Sequence, residues 1–140
     1  MININEMGNT MPQFKDGEQV ALMAKELWEN VLADNESADM VRRIGLSVFT
    51  EFTDPEACIW ISADEVIIGD AAKKEAVIHL RLAWEDANDL YSDKAGLTVL
   101  VTTGKMKVKG PLLKLMKIVP LLKRAQTIWP NVCKKHNIQM

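Results

Sequence analysis

Residues 103–117 read TGKMKVKGPLLKLMK, and this stretch decides how the C-terminal part of the chain folds. Between Gly104 and Gly110, three lysines alternate with Met106 and Val108. Successive side chains of a strand point to opposite faces, so this alternation predicts a strand with one apolar and one basic face. A phosphate-binding loop and a membrane-binding patch are the other structures that such letters can encode.

The segment is not a nucleotide-binding loop, because the residue after Lys105 is wrong for one. A P-loop ends in Gly-Lys-Ser/Thr, and the hydroxyl group of its last residue binds magnesium. Met106 stands in that place here, and the chain contains no Gly-x-Gly-x-x-Gly and no Gly-x-Ser-x-Gly pattern. Adjacent acids such as Glu85 and Asp86 are typical of solvated helix starts. We therefore predict no catalytic residue and no enzymatic activity.

Few residues of the chain are suited to bind a metal. His79 and His136 are the only histidines. Cys133 and His136 have a metal-like spacing, but two ligands do not make a zinc site. Cys58 is the one other cysteine, so a disulfide framework is not predicted either. We expect no metal, no cofactor, and a reduced, cytoplasmic protein.

Length and composition indicate an ordinary globular domain. The chain has 140 residues, of which 48% are hydrophobic and 26% are charged, and this length buries a core without disulfides or metal. No apolar stretch is long enough to span a bilayer. The first ten residues lack the features of a secretory signal. We predict a flexible polar lead over residues 1–15 and a single domain over residues 16–140.

Charge is distributed unevenly along the chain. Residues 1–100 hold eight Lys/Arg and all nineteen Asp/Glu, a net charge of −11, whereas residues 101–140 hold nine Lys/Arg and no acid, a net charge of +9. Such polarity indicates an anionic partner near the basic end. The alternative is that the two parts pack together and neutralise each other. Nucleic acid is not the predicted partner, because Trp129 is the only aromatic residue among these basic residues.

The N-terminal region predicts two helices. Asp16 and Gln19 have the spacing of a helix cap, and apolar residues recur at helical spacing over residues 17–33. The stretch DNES at 34–37 ends this helix and caps a second one, which extends through about Arg43.

The middle of the chain predicts a sheet. Apolar residues alternate in IGLSVFTEFT from Ile44 and again in AVIHLRL at 76–82, which is typical of strands with one buried face. Between them, ACIWIS at 57–62 and EVIIGD at 65–70 flank a tight polar turn and predict a hairpin. Because these strands are short and closely linked, we predict a mostly antiparallel sheet.

The C-terminal region predicts helices with one ambiguous segment. WEDANDLY at 84–91 has the acid-rich start of a short helix. GLTVLVTT at 96–103 favours a strand by propensity, although Gly104 is equally suited to end a helix. A helix is predicted from Pro111, with a break at Pro120 and a second piece over residues 120–128. His136 is expected in a frayed tail.

The stretch LTVLVTTGKMKVKGPLLKLMKIVPLL, preceded by AVIHLRLAWEDANDLYSDKAG, resembles the sterol carrier protein type 2 family. That family has a strand, a short helix pair, the motif Gly-Lys-apolar-Lys-apolar-Lys-Gly and an apolar helix, and residues 104–110 match the motif position by position. VFTEFTDPEACIWIS fits the opening strands, with Asp54 and Trp60 at the expected places. The resemblance covers about residues 44–122, and Pro111 departs from the acidic or polar residue usual after the second glycine.

The resemblance implies an α/β (α+β) fold, with a mostly antiparallel five-stranded sheet and helices packed on one face, enclosing an apolar tunnel. It also implies that residues 97–103 form a helix ended by Gly104, against their strand propensity. Members of the family bind fatty acids, acyl-CoA esters, sterols and other lipids. We therefore predict non-catalytic binding or transfer of a lipid, either a fatty acid, a fatty acyl-CoA or a sterol-like molecule.

The predicted ligand-binding residues are apolar and belong to the elements that would enclose the tunnel. They are Trp60, Ile78, Leu80, Leu82, Leu97, Leu100, Val101, Met106, Val108, Leu112, Leu115, Met116 and Val119. The alternative for each is a place in the ordinary core. Lys105, Lys107 and Lys109 are predicted to steer anionic head groups or to face an anionic membrane surface. Their alternative role is to keep an edge strand soluble.

The leucine-rich C-terminal part leaves more than one predicted partner. Over residues 112–119 only Lys114 and Lys117 are polar, so a helix there cannot hide its whole surface against one sheet face. A bound lipid or acyl-CoA, a partner protein or a homodimer mate would cover the rest, and an anionic membrane surface would make a transient contact. The alternative function is therefore a protein–protein interaction or dimerisation module, accessory to a lipid-modifying enzyme.

Overall fold

The computed structural model describes residues 14–138, and the predicted lead over residues 1–15 lies almost wholly outside them. The described residues form six helices, one 3₁₀ helix and five strands. The helices are α1 (Gly17–Leu32), α2 (Asn35–Ile44), α3 (Trp84–Tyr91), α4 (Leu97–Thr102), α5 (Leu112–Met116) and α6 (Val119–Lys135), and the 3₁₀ helix is Gly69–Ala72. The strands are β1 (Val48–Thr53), β2 (Ala57–Ile61), β3 (Val66–Ile68), β4 (Ile78–Ala83) and β5 (Met106–Lys109).

The five strands form one sheet in the order β3-β2-β1-β4-β5. Three of its four pairings are antiparallel, whereas β1 and β4 are parallel with Val48 opposite Ile78. The predicted α+β fold with a mostly antiparallel five-stranded sheet is confirmed, with a parallel pair at its centre. The connection after β3 crosses to the other edge of β1, where β4 runs in the same direction as β1.

The two faces of the sheet differ in character. The inner face, which the helices cover, carries Val48, Thr50 and Phe52 of β1 and their apolar neighbours on the other strands. The outer face carries the alternate residues, among them Glu51 and Arg81. This division follows from the alternation of side chains along a strand.

The first two helices begin at the predicted caps. The Asp16 carboxylate accepts a hydrogen bond from the Gln19 backbone N–H at 2.9 Å, and Asp34 accepts one from Ser37 at 3.0 Å. The strand predicted from Ile44 begins instead at Val48. Ile44 is the last residue of α2, and Gly45 ends that helix in the left-handed conformation, with φ of 67°.

Residues 97–102 are helical, so the strand favoured by propensity is wrong and the helix implied by the family resemblance is confirmed, one residue shorter than residues 97–103. Leu97 and Leu100 are three residues apart and both are buried, which the helical spacing allows. The Thr103 hydroxyl group donates to the Val99 carbonyl at 2.7 Å. Packing of the leucines therefore outweighs the β propensity of the valines and threonines.

The C-terminal helices break where predicted but extend further than predicted. One helix ends at Met116, and the next begins at Val119, directly before Pro120. The second helix does not stop near residue 128. It continues through Pro130 to Lys135, and Trp129, Val132 and Cys133 are buried. His136 does not lie in a frayed tail. It caps α6, and its Nε2 atom lies 3.0 Å from the Glu26 carboxylate.

The acidic and basic parts of the chain neutralise each other only in part. Arg124 lies 3.2 Å from Asp34, and Lys135 and His136 both contact Glu26. These ion pairs join α6 to the N-terminal helices. The lysines of residues 105–117, by contrast, form no ion pair within residues 14–138.

Gly110 is required where the chain leaves β5, and its replacement by alanine should cost more stability than the same change at Gly104. Both glycines have positive φ, 123° and 79°, so each alanine is strained by about 1–2 kcal/mol. A Cβ atom at Gly110 would also lie 2.5 Å from the Val77 carbonyl oxygen, whereas nothing lies within 4 Å at Gly104. We expect G110A to lower the free energy of unfolding by about 1–3 kcal/mol more than G104A, measured by urea denaturation. Equal losses would contradict the close packing at Gly110.

Candidate functional site: an internal apolar cavity

An internal cavity lies between the inner face of the sheet and the helices that cover it. Four strands and all six helices, with two connecting residues, contribute to its wall. The lining residues are Trp28, Leu32, Val41, Leu46, Val48, Thr50, Ile61, Leu80, Leu82, Leu90, Tyr91, Leu97, Met106, Leu115, Ile118, Leu121 and Leu122. Because β1, β4 and β5 supply its floor, the alternation that buries their apolar residues also shapes the cavity.

The cavity wall is uncharged. Thr50, Tyr91 and the indole of Trp28 supply its few polar atoms, and no Lys, Arg, Asp, Glu or His lines it. The Trp28 indole N–H donates to the Tyr91 hydroxyl oxygen at 3.2 Å. Burial raises the pKa of Tyr91 to about 12, so the phenol remains neutral at physiological pH. Such a wall favours apolar ligand groups and makes the burial of a charged group unfavourable.

The cavity is small as it stands. Its volume is about 60 Å³, enough for a few water molecules at roughly 10–15 Å³ each. Pockets that hold small organic ligands are larger, from roughly 300 Å³ upward. A lipid chain therefore requires the side chains and helices around the cavity to move apart.

Helix α5 is the part of the cavity wall with the fewest anchors. Leu115 is its only buried residue, and the helix lies between the left-handed Gly110 and the break before Val119. Met106 faces the cavity from β5, and its unbranched side chain adapts readily to a changed volume.

The structure brings five of the predicted ligand-binding residues together at the cavity: Leu80, Leu82, Leu97, Met106 and Leu115. Ile78 and Leu100 are buried in the same core without lining the cavity, and Val101, Val108, Met116 and Val119 pack against that core while partly buried. Leu112 is exposed on α5. Trp60 lies on the outer face of the sheet, where its indole N–H donates to the Glu75 carbonyl and Lys74 lies over its ring at 4.0 Å.

The three predicted head-group lysines lie away from the cavity. Lys107 and Lys109 belong to the outer face of β5, where they neighbour Arg81 and His79 of β4. Lys105 directly precedes this strand and is exposed. Met106 and Val108 point to the opposite, inner face, as the alternation predicts.

Sequence reasoning missed the part of the wall that comes from the N-terminal helices and from α3. Trp28, Leu32 and Val41 line the cavity from α1 and α2, and Leu90 and Tyr91 line it from α3. The helical period that marks Leu27 and Val31 as buried also places Trp28 and Leu32 beside them. Periodicity therefore shows that these residues face the core, but not that the core is hollow beside them.

Residues 14–138 contain no cluster of three or more His, Cys, Asp or Glu side chains placed to bind a metal. Both cysteines are free, and burial raises the pKa of the Cys133 thiol to about 12. Among the described helices, none has the length and hydropathy needed to cross a bilayer.

The fold and the cavity define the class: an α+β domain built around an internal, uncharged apolar cavity. The chain matches the family described as the SCP-2 sterol transfer family over residues 24–123. The chain belongs to this family, whose domains bind and transfer lipids. No curated protein sequence matches the chain.

Solved structures of the same fold agree with this assignment. Sterol carrier protein 2 from Yarrowia lipolytica, in its apo form, has a TM-score of 0.60 and 21% identity, covering 79% of this chain and 91% of its own. The sterol carrier protein domain 2 of Helicoverpa armigera has a TM-score of 0.62 and 20% identity, with 85% and 96% covered. The ubiquinone synthesis protein UbiJ-SCP2 has a TM-score of 0.58 and 17% identity, with 77% and 96% covered. At these identities the likeness concerns the fold.

The hydrogen bond between Trp28 and Tyr91 should stabilise the cavity wall measurably. Tyr91→Phe leaves the buried Trp28 N–H without its acceptor, and we expect the free energy of unfolding to fall by about 1–3 kcal/mol. Thermal or urea denaturation measures the loss. A W28F/Y91F double variant is the control, because it removes both partners. The sum of the losses in the single variants W28F and Y91F should then exceed the loss in the double variant. A double-variant loss equal to that sum would contradict a direct hydrogen bond.

Proposed function

We propose that this protein binds and transfers a lipid without catalysing its conversion. The observation that supports this proposal most directly is the uncharged apolar cavity, which lies within the part of the chain that matches the family. The only titratable side chain in the wall is Tyr91, whose pKa burial raises to about 12, so the wall offers no general base at neutral pH. We assign the role of a single lipid-binding domain to residues 16–140, and a cytoplasmic location in keeping with the free thiols of Cys58 and Cys133.

The proposed ligand is a fatty acid, a fatty acyl-CoA or a sterol-like molecule, with its hydrocarbon part in the cavity. A charged carboxylate or phosphate would find no cation among the lining residues, and burial of an unpaired charge is costly. We therefore place any charged head group outside the cavity, at the protein surface.

The residues proposed to contact the hydrocarbon are first the five predicted ones that line the cavity. The remaining predicted apolar residues follow as the cavity widens: Ile78, Leu100, Val101 and Val108 from the adjoining core, and Met116 and Val119 from the displaced C-terminal helices. Leu112 is 45% exposed on α5 and does not line the cavity, so we do not propose it as a ligand contact. For Trp60 on the outer face, a contact requires a ligand that extends beyond the sheet edge. In this proposal the cavity becomes the predicted tunnel when α5 moves away from the sheet.

Hydrocarbon burial supplies the free energy for this widening. Each methylene transferred from water contributes about 0.8 kcal/mol, so a long acyl chain contributes roughly 10 kcal/mol before the costs of ordering and desolvation. Displacing α5 exposes one fully buried side chain, that of Leu115, at a cost of about 1.5–3 kcal/mol. The chain of the ligand replaces this contact.

A bulky residue in the cavity should block binding. Met106→Trp places a larger side chain into the cavity, and we expect the affinity for a fluorescent fatty acid to fall about tenfold or more, equivalent to about 1.4 kcal/mol or more. Titration followed by fluorescence measures the affinity, and circular dichroism confirms that the variant is folded.

Val99→Trp is the matched control for this variant. Val99 is 56% exposed on α4 and does not line the cavity, so the same enlargement there should leave the affinity unchanged. Equal affinities of the folded Met106→Trp variant and the wild type would contradict the proposal that this cavity is the ligand site.

We further propose that Lys105, Lys107 and Lys109 steer anionic ligands by their long-range field. Two observations support this steering role. The three lysines form no ion pair within residues 14–138, and residues 101–140 contain no acidic residue. At low ionic strength the triple variant to glutamate should slow association of a fatty acid, and added salt should diminish the difference. Stopped-flow fluorescence measures the rates, and a neutral sterol-like probe is the control. Association rates that do not respond to the three changes would exclude the steering role.

A further inference from the structure

The outer side of α5 presents aliphatic side chains that no described part of the protein covers. Leu113 is 81% exposed and Leu112 is 45% exposed. Leu115, two residues further on, is fully buried and lines the cavity. Side chains two residues apart on an α-helix point in directions about 200° apart around the helix axis. Leu113 therefore points almost directly away from the cavity. This short helix is thus cavity wall on one side and exposed apolar surface on the other.

The charges around these leucines are all positive along the chain. Lys114 directly follows Leu113, and Lys117 lies one helical turn beyond it. Neither lysine forms an ion pair within residues 14–138. The Lys114 ammonium lies 3.9 Å from the point that a Cβ atom on Gly45 would occupy, and so lies close to the C-terminal end of α2.

We propose that this surface, Leu112 and Leu113 with Lys114 and Lys117, docks the protein onto an anionic lipid bilayer. Aliphatic side chains that enter the acyl boundary and lysines that reach anionic head groups are the two contributions that hold a peripheral protein at a membrane. Long lysine stems also bury their methylenes beside the leucines while the ammonium groups remain at the head groups.

A second copy of this chain fits the surface less well than a bilayer does. In a symmetric dimer the same patch meets itself, so the two lysines on one copy would lie against the two on the other. Like charges placed opposite each other across an interface are unfavourable. An anionic bilayer instead matches both the leucines and the charge of this surface.

The docking surface lies directly behind the cavity wall, and this gives it a role in the proposed lipid transfer. When Leu112 and Leu113 enter the bilayer, Leu115 on the same short helix is held next to the membrane, and the cavity opens toward the source of lipid. The inference rests on the proposed function. It predicts that uptake from membranes depends on this surface, whereas binding of a dissolved ligand does not.

The test compares the wild type with L112S/L113S, and uses L22S as the matched control because Leu22 is 46% exposed on α1. Cosedimentation uses vesicles of phosphatidylcholine alone and of phosphatidylcholine mixed with phosphatidylserine. We expect the wild type and L22S to bind the mixed vesicles, and L112S/L113S to bind them about tenfold or more weaker. Omission of phosphatidylserine should also weaken wild-type binding.

A second measurement on the same proteins is binding of a dissolved fluorescent fatty acid, which we expect to be equal in all three. Mixed-vesicle binding by L112S/L113S at the wild-type level, an equal loss in L22S, or no preference for phosphatidylserine would each overturn the docking proposal. A wild type that sediments as a dimer while L112S/L113S sediments as a monomer would also overturn it, because the surface would then be a self-association face. Failure of the wild type to bind the dissolved fatty acid would instead contradict the proposed function itself.

Discussion

One constraint shapes this molecule: its sheet buries only one face, and the helices that cover this face come from both ends of the chain. The inner face is apolar because strand side chains alternate, as in Val48, Thr50 and Phe52 of β1. Helix α1 packs on β2 and β3, and α6 packs on α1 and α3. Glu26 holds α1 and α6 together through Lys135 and His136, and the Gln126 amide donates to the Leu90 carbonyl at 2.9 Å. The cavity lies between these helices and the inner face of the sheet, and α4 and α5 also line it.

An uncharged cavity of about 60 Å³ gives a definite picture of how a lipid would be held. The wall is apolar, so a hydrocarbon chain gains by entering it, whereas a charged group does not. The least anchored part of the wall is α5, whose inner side closes the cavity and whose outer side carries exposed leucines. Ligand entry and membrane contact therefore concern the same short helix.

Much of the fold can be predicted from the sequence because local rules and tertiary packing agree. Helix caps at Asp16 and Asp34 and the alternation around Leu80 lead to the observed elements. The prediction from propensity fails at residues 97–103, where burial of Leu97 and Leu100 selects a helix that the family resemblance alone indicated. The predicted end of the last helix at residue 128 is also wrong, because α6 continues past Pro130 to Lys135 and buries Trp129.

The candidate site was less accessible to sequence reasoning. Apolar periodicity identifies which residues face the core, and five of the predicted ligand-binding residues do line the cavity. It cannot tell a filled core from a hollow one, because that depends on how α1 and α3 are placed against the sheet. Trp28 of α1 and Tyr91 of α3 line the cavity because of this placement. The alternation in β5 predicted that Met106 and Val108 face the interior and that the lysines face away from it, and the strand has this arrangement.

The central claim is that hydrocarbon burial in this cavity drives ligand binding, and a chain-length series of saturated fatty acids tests it most directly. Displacement of a fluorescent probe gives the dissociation constant of each acid below its critical micelle concentration. Because each buried methylene contributes about 0.8 kcal/mol, the account predicts that affinity rises about threefold to fourfold with each added methylene until the widened cavity is full. An affinity that does not depend on chain length, or an absence of displacement by any acid in the series, would contradict it.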